Sequence, residues 1–284
     1  MTSTTVLDAD LLKSRVRQHW QTETCGTRYG HALDRNRYFD ELANARYRLE
    51  PDLKAFANFP AASGKRILEI GVGAGADFFN WCKYADHATG VDLTERAVDL
   101  TTERLQLNNV PRHRYHVCTA DAENLPLDDD RFDLVYSWGV LHHTPNTERA
   151  FAQAWRVLKP GGVLKAMVYH LPSWVGLMLK LNYGIARGNL TLTARQAVFD
   201  YLESPGTKSY TVPEGRDFLQ RIGFEQIQVW SRLSAGDLLL IKPSKRHEGL
   251  KARIIWSLYP RWLVRLSGHR FGLNLLITAT KPLK

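Results

Sequence analysis

Between Lys65 and His170, short apolar runs alternate with stretches of helical hydrophobic spacing, and that alternation leaves the chain few folds to adopt. The strand-like runs are Arg66–Ile70, the end Ala88–Asp92, Tyr115–Thr119, Phe132–Ser137 and, after Pro160-Gly161-Gly162, Val163–Tyr169. Between them Ala97, Val98, Thr101 and Leu105, and later Phe151, Ala154, Trp155 and Leu158, recur at the spacing of one helix face. Leu158–Gly162 reads as a helix stop and turn. Strand followed by helix, repeated, predicts an α/β fold with a doubly wound, mostly parallel sheet and helices on both faces. Ligands of such sheets sit beyond the carboxyl ends of the strands.

The most informative turn is Glu69-Ile70-Gly71-Val72-Gly73-Ala74-Gly75, where the first strand passes into its helix. Glycines there let backbone N–H groups approach a ligand. By itself the loop fits an ordinary tight turn equally well. Its spacing, G-x-G-x-G, differs from the G-x-G-x-x-G that wraps a pyrophosphate, and Glu69 would repel phosphates but suit a cation. Asp92 ends the second strand, where ribose hydroxyls are bound in such folds, and Asp121-Ala122 follows the third. The set asks for an adenosine bearing positive charge, which disfavours a nicotinamide-dinucleotide oxidoreductase.

These segments, ILEIGVGAG at 67–75, GVDLT at 90–94, TADAENLPL at 119–127, FDLVYSWGVLHHTPN at 132–146 and RVLKPGG at 156–162, resemble the class I S-adenosylmethionine-dependent methyltransferases. The similarity is to the type 11 group, which includes ubiquinone- and menaquinone-biosynthesis-type enzymes. It implies a seven-stranded Rossmann-like sheet with the last strand antiparallel, and S-adenosyl-L-methionine as cofactor. By that resemblance Glu69, Gly71, Gly73 and Gly75 line the methionine and ribose part, Asp92 holds the ribose hydroxyls, Asp121 with Ala122 reads the adenine edge, and Ser137 to Val140 close the floor. Leu93 and Leu125 are placed to sandwich the purine. A carboxylate accepting two hydroxyls, and an Asp beside a backbone N–H facing an amine and a ring nitrogen, make the same sense chemically.

Methyl transfer needs proximity, alignment and, for a protonated acceptor, a base. His142 and His143, just past the fourth strand, are the candidates; a helix-capping or packing role under Trp138 is the alternative. In the N-terminal zone, Tyr38 and Arg46-Tyr47-Arg48 could cover the cofactor and contact its carboxylate, or form an ordinary surface helix.

The expected organisation is a helical cover over 1–60, the cofactor-binding core over 61–170, an insertion or lid over 171–212 and the rest of the core over 213–284. Between Lys242 and Arg270 stand eight Lys or Arg against Glu248, a net +7 of the chain's +9. With Leu250, Ile254, Ile255, Leu258, Trp262 and Leu266 near helical spacing, this stretch suits peripheral contact with anionic lipid, an acidic substrate, or simple docking on the domain. Nucleic acid is a weaker partner because no RNA-binding motif accompanies it, so an RNA methyltransferase is the rival reading. A non-catalytic adenosyl-binding protein is the rival of another class.

Composition sets the outer limits. At 284 residues and 44% hydrophobic, the chain can bury a large core. Cys25, Cys82 and Cys118 are too scattered for a disulfide framework or a cysteine zinc site, so no metal is expected and a cytoplasmic setting is. Met1 to Lys13 lacks a basic start followed by an apolar run, so no secretory signal is expected. The acceptor is expected to be a small molecule, lipophilic or acidic, methylated on O, N or C.

Overall fold

The computed structural model describes residues 3–204, 206–241, 257 and 259–283. One seven-stranded sheet organises them, in the order β3-β2-β1-β4-β5-β7-β6. The strands are β1 (Arg66–Ile70), β2 (His87–Asp92), β3 (Tyr115–Thr119), β4 (Phe132–Trp138), β5 (Leu158–Tyr169), β6 (Glu225–Arg232) and β7 (Asn274–Thr280). The first five pair in parallel, and β7 runs antiparallel between β5 and β6. This is the α/β architecture expected from the sequence.

Alternation along the strands divides the core. Leu68 and Ile70 join Phe151, Ala154, Phe218 and Leu219 on one face. Those side chains come from α6 (Thr147–Val157) and α9 (Val212–Ile222). Ile67, Leu134 and Tyr136 join Phe78 and Trp81 of α4 (Ala76–Tyr84) on the other. Each fully buried Leu or Phe contributes about 1.5–3 kcal/mol. Glu69 follows the parity of Ile67, which sends its carboxylate toward the α4 side.

Helix boundaries follow local chemistry. The Thr94 hydroxyl accepts the Ala97 N–H at the start of α5 (Glu95–Leu107), and Asn146 does the same for Arg149 in α6. Thr211 and Glu214 form a reciprocal capping box at α9. One boundary differs from expectation: α6 stops at Val157, and the Leu158–Gly162 turn is part of β5. Pairing with β4 passes from Leu158 opposite Phe132 to Val163 opposite Leu134, so the intervening residues bulge out. Backbone bonds of Gly161 and Gly162 with Lys281, each 2.9 Å, hold the bulge to the chain after β7.

Three helices precede the sheet, α1 (Ser3–Thr22), α2 (Arg35–Leu49) and α3 (Leu53–Ala57). Beyond β5 come α7 (Trp174–Leu179) and α8 (Ala194–Tyr201), with a small cluster of Tyr183, Leu192 and Ala197 of their own. Before β7 lies α10 (Arg261–Leu266). The basic stretch at 242–256, with Leu250, Ile254 and Ile255, and also Leu258, falls outside the described residues. Among the described residues no helix is long and apolar enough to cross a membrane.

Candidate active site

At the carboxyl end of β1 the backbone turns through Gly71 at φ +88°, and a Cβ there would lie 2.1 Å from Cγ2 of Val140. Only glycine lets β1 and the segment after β4 approach this closely. Two residues on, the Gly73 N–H donates to Oδ2 of Asp92 at 3.1 Å. The other Asp92 oxygen accepts from the Thr94 N–H (3.0 Å) and hydroxyl (2.9 Å). Burial raises the Asp92 carboxyl above its usual range, and these N–H and O–H donors work against that rise. A carboxylate offers about four acceptor positions, so a ligand hydroxyl would share this one with the protein's own donors.

Behind the glycine turn lies an acidic interior. Glu69 is 2% exposed, and its Oε2 has no hydrogen-bond partner among the described residues. Burial, and the charges of Asp77 and Asp92, push its carboxyl well above the usual range, while Arg46 pulls it back. Asp77 accepts from Arg46 Nη2 (2.5 Å), the Tyr47 hydroxyl (3.0 Å) and the Tyr136 hydroxyl (3.0 Å). Arg46, expected near a ligand carboxylate, therefore commits its Nε and Nη2 to Asp77. Three acids against one guanidinium favour a cationic guest.

The rest of the expected cofactor set sits around this turn. Ser137 is fully buried, and its hydroxyl donates to the Ile70 carbonyl at 2.9 Å, tying β4 to β1. Ala122 and Leu125 are buried in the core cluster with Ile70 and Val91. Leu93 is partly exposed beside Asp92. Asp121 accepts from its own turn through the Glu123 N–H (2.9 Å), and its outer oxygen takes Lys13 Nζ at 2.7 Å. Lys13 also reaches Glu123 at 3.1 Å, which fastens α1 over the end of β3. Tyr38 packs with Phe39, Leu42 and Ala74, at the side of the glycine turn.

His142 and His143 lie elsewhere, in a single 3-10 turn (Leu141–His143) beyond β4, both buried. The His143 Nδ1 lies 2.9 Å from Ser204 Oγ and 3.1 Å from Thr207 Oγ1. Its Nε2 faces Oε2 of Glu203 at 3.4 Å. That oxygen also accepts the Tyr169 hydroxyl at 2.7 Å. Burial works to raise the Glu203 carboxyl, but His143 and Tyr169 bring it below its usual range. His142 packs against Tyr169 with ring centres 4.0 Å apart and planes tilted by 37°, and neither of its ring nitrogens has a partner among the described residues. Burial, then His143 and Lys208, push its imidazole well below the usual value. The Trp20 ring from α1 meets His143 edge-on at 5.2 Å. Sequence reasoning missed Asp77, Lys13, Tyr169 and Glu203, because each acquires its partner from a distant part of the chain.

Comparison with known proteins agrees with this layout. Residues 68–166 match the model of a family described as "Methyltransferase domain". A phthiotriol/phenolphthiotriol dimycocerosates methyltransferase of Mycobacterium leprae is 39% identical over 104 residues, which cover 36% of this chain and 37% of that protein. A demethylmenaquinone methyltransferase of Tropheryma whipplei is 28% identical over 183 residues, covering 63% of this chain and 73% of that one. In fold, a chain from the complex of the Haloferax volcanii Trm112 methyltransferase activator superposes with a TM-score of 0.62 at 16% identity, over 94% of this chain and 97% of that chain. The match to the Mycobacterium protein thus spans little more than a third of its length. Over residues 68–166 the chain is similar to the methyltransferase domain family, on a sheet with the class I methyltransferase fold.

Proposed function

We propose that this chain is an S-adenosyl-L-methionine-dependent methyltransferase acting on O, N or C of a small lipophilic molecule. The observation that carries the reading is Glu69: a buried carboxyl with an unpartnered oxygen, at the end of β1, whose ionisation is opposed by burial and by Asp77 and Asp92. A pyrophosphate there would oppose it further, whereas a sulfonium and an ammonium would supply the countercharge that favours the ionised carboxylate. When bound, S-adenosylmethionine supplies an electrophilic methyl group.

The chain's own residues bind and align. Gly71, Gly73 and Gly75 let the backbone follow the methionine and ribose, with Glu69 beneath them. Asp92, held by Gly73 and Thr94, would share its carboxylate oxygens with a ribose hydroxyl. Asp121 and the Ala122 N–H face the adenine edge, Leu93 and Leu125 flank the purine, Ser137 holds the floor and Tyr38 belongs to the cover. Lys13 shares the Asp121 carboxylate. For an acceptor that carries a proton, His142 and His143 are the proposed site of its uptake.

The lipophilic class is supported by the acceptors named for the Mycobacterium and Tropheryma relatives, and by the surface. Trp262, Leu263, Leu266 and Phe271 are exposed beside Arg261, Arg265 and Arg270. Leu177, Leu181 and Ile185 are exposed on the neighbouring insertion, which the Trp174 indole joins to Ser267 at 2.9 Å. An apolar face rimmed by Arg suits peripheral contact with anionic lipid. Flotation with phosphatidylglycerol liposomes should capture the protein and release it in high salt; indifference to lipid charge would remove this part.

Calorimetry with S-adenosylmethionine, S-adenosylhomocysteine and NADH tests the core of the proposal, followed by a labelled-methyl screen over quinols, phenols, amines and lipids. The two adenosyl ligands should bind, and Asp92→Ala should weaken them by about tenfold, the worth of one charge-assisted hydrogen bond. Tight NADH uptake with no response to the adenosyl ligands would overturn it.

A further inference from the structure

At the histidine turn the hydrogen bonding does not close with protein atoms alone, and the gap lies at His142. The Thr207 hydroxyl spends its one proton on the Ser204 carbonyl, at 2.7 Å, so toward His143 it can only accept. Ser204 Oγ, at 2.9 Å, can accept from Nδ1 or donate to it, so both tautomers fit; with the proton on Nδ1, Nε2 presents a lone pair toward the Glu203 carboxylate 3.4 Å away, the form that a cation between them would select. Beside them His142 is fully buried with both ring nitrogens unpartnered among the described residues, and one of these must also be a lone pair. A proton on His143 Nε2 would settle the contact with Glu203 and still leave His142 unsatisfied. A positively charged guest with several coordination positions would satisfy His142 and bridge His143 to Glu203.

We propose that His142, His143 and Glu203 form a binding site for a divalent transition-metal ion with the coordination chemistry of Zn²⁺. One donor atom from each lies within 4.8 Å of the others. Bond lengths of about 2.0–2.2 Å to nitrogen and oxygen require only a modest closing of that triangle. Two imidazoles and a carboxylate are a borderline donor set that Ca²⁺ and Mg²⁺ do not favour, and three protein ligands leave a position open.

The surroundings match what such ligands require. With an ion at Nε2, the Nδ1–H of His143 would donate to Thr207, which would hold that tautomer, and the Tyr169 hydroxyl orients the carboxylate at 2.7 Å. Glu203 itself sits at φ +55°, a backbone conformation costing about 1–2 kcal/mol for a residue with a Cβ. His142 and His143 arrive from the turn after β4, and Glu203 from the inserted segment, so an ion here would also pin the insertion to the sheet. The site does not touch the cofactor end of the proposed function, but an ion here would occupy the lone pairs of His142 and His143 and so take the place of their proton-uptake role; its open position would then draw an ionisable oxygen of the acceptor.

The test uses chelator-treated full-length protein titrated with ZnCl2 by calorimetry, and with CoCl2 while visible d–d bands are followed. Wild type should take up one equivalent with affinity of about micromolar or tighter, and Co²⁺ should give the intense bands of a low-coordinate site. Glu203→Gln and His142→Gln should each lose at least about tenfold, Tyr169→Phe about tenfold, and the exposed His116→Gln nothing. Thermal melts identify any variant that fails to fold, and the Co²⁺ spectrum of the wild type decides the matter without variants. No stoichiometric uptake by wild type, or uptake that Glu203→Gln and His142→Gln leave unchanged, overturns the proposal. S-adenosylmethionine titrated into the same samples reads the glycine-turn site separately, so failure of the metal site and failure of the methyl-transfer reading give different results.

Discussion

The two ends of the candidate site are built in opposite ways. At the glycine turn most of the geometry rests on short motifs that the sequence marks, the glycines, the acid before them and Asp92 with its own Thr94, onto which Ser137 and Val140 close from β4 and the segment after it. At the histidine turn it is set by convergence, since Ser204 and Thr207 reach His143 from 61 and 64 positions away and Glu203 comes from the same inserted segment. Local construction leaves a signature in the chain, whereas convergence leaves none until the chain has folded. The first end should therefore be brittle to backbone change and the second sensitive to loss of individual contacts.

The sharpest way to break that contrast is at Gly71. Gly71→Ala would put a methyl 2.1 Å from Val140 Cγ2 while keeping φ at +88°. Left-handed strain and overpacking together should cost about 3 kcal/mol or more. Gly73→Ala, also at positive φ but with no atom within 4 Å of the added Cβ, should cost only about 1 kcal/mol. Urea midpoints of the two variants check this. Equal losses would mean that approach to Val140 is not what the turn is for.

At the other end, Thr207→Val removes one of the two hydroxyls around His143 Nδ1 and leaves Ser204 in place. A stability loss of about 1 kcal/mol is expected, with affinity for S-adenosylmethionine unchanged within error. If nucleoside affinity fell as well, the two ends would be coupled and the contrast drawn here would be too simple.

How much could be read beforehand follows the same division. Arg66–Ile70 and Tyr115–Thr119 were legible because strand runs and glycine turns are local patterns. The His142-His143 pair was visible as two adjacent imidazoles, but not its company: nothing around Glu203 or Tyr169 marks either as a partner. Arg46 shows the converse error. A guanidinium in the helical cover suggested a ligand carboxylate, and the carboxylate it reaches is Asp77, thirty-one positions away in α4. The bulge at Pro160-Gly161-Gly162 looked like an ordinary turn because its partner, Lys281, stands at the far end of the chain.

A smaller effect is expected where the two ends approach electrostatically, at Glu50. Its carboxylate accepts Asn274 Nδ2 at 2.9 Å and is pushed up to about 7, first by burial and then by the charges of Glu203 and Asp77, with Arg46 and Asn274 opposing. Between its ordinary value of 4.5 and about 7, the folded protein keeps a proton that the unfolded chain releases. Stability must then fall as pH rises through that window, and the whole penalty is present above it. Glu50→Gln keeps an acceptor for Asn274 and removes the charge, so it should stabilise the fold by about 1–2 kcal/mol at pH 8 and by little at pH 5. Denaturant titrations at the two pH values measure the difference. A variant equally stable relative to wild type at both would show that Glu50 is solvated and that the acidic interior ends at Asp77.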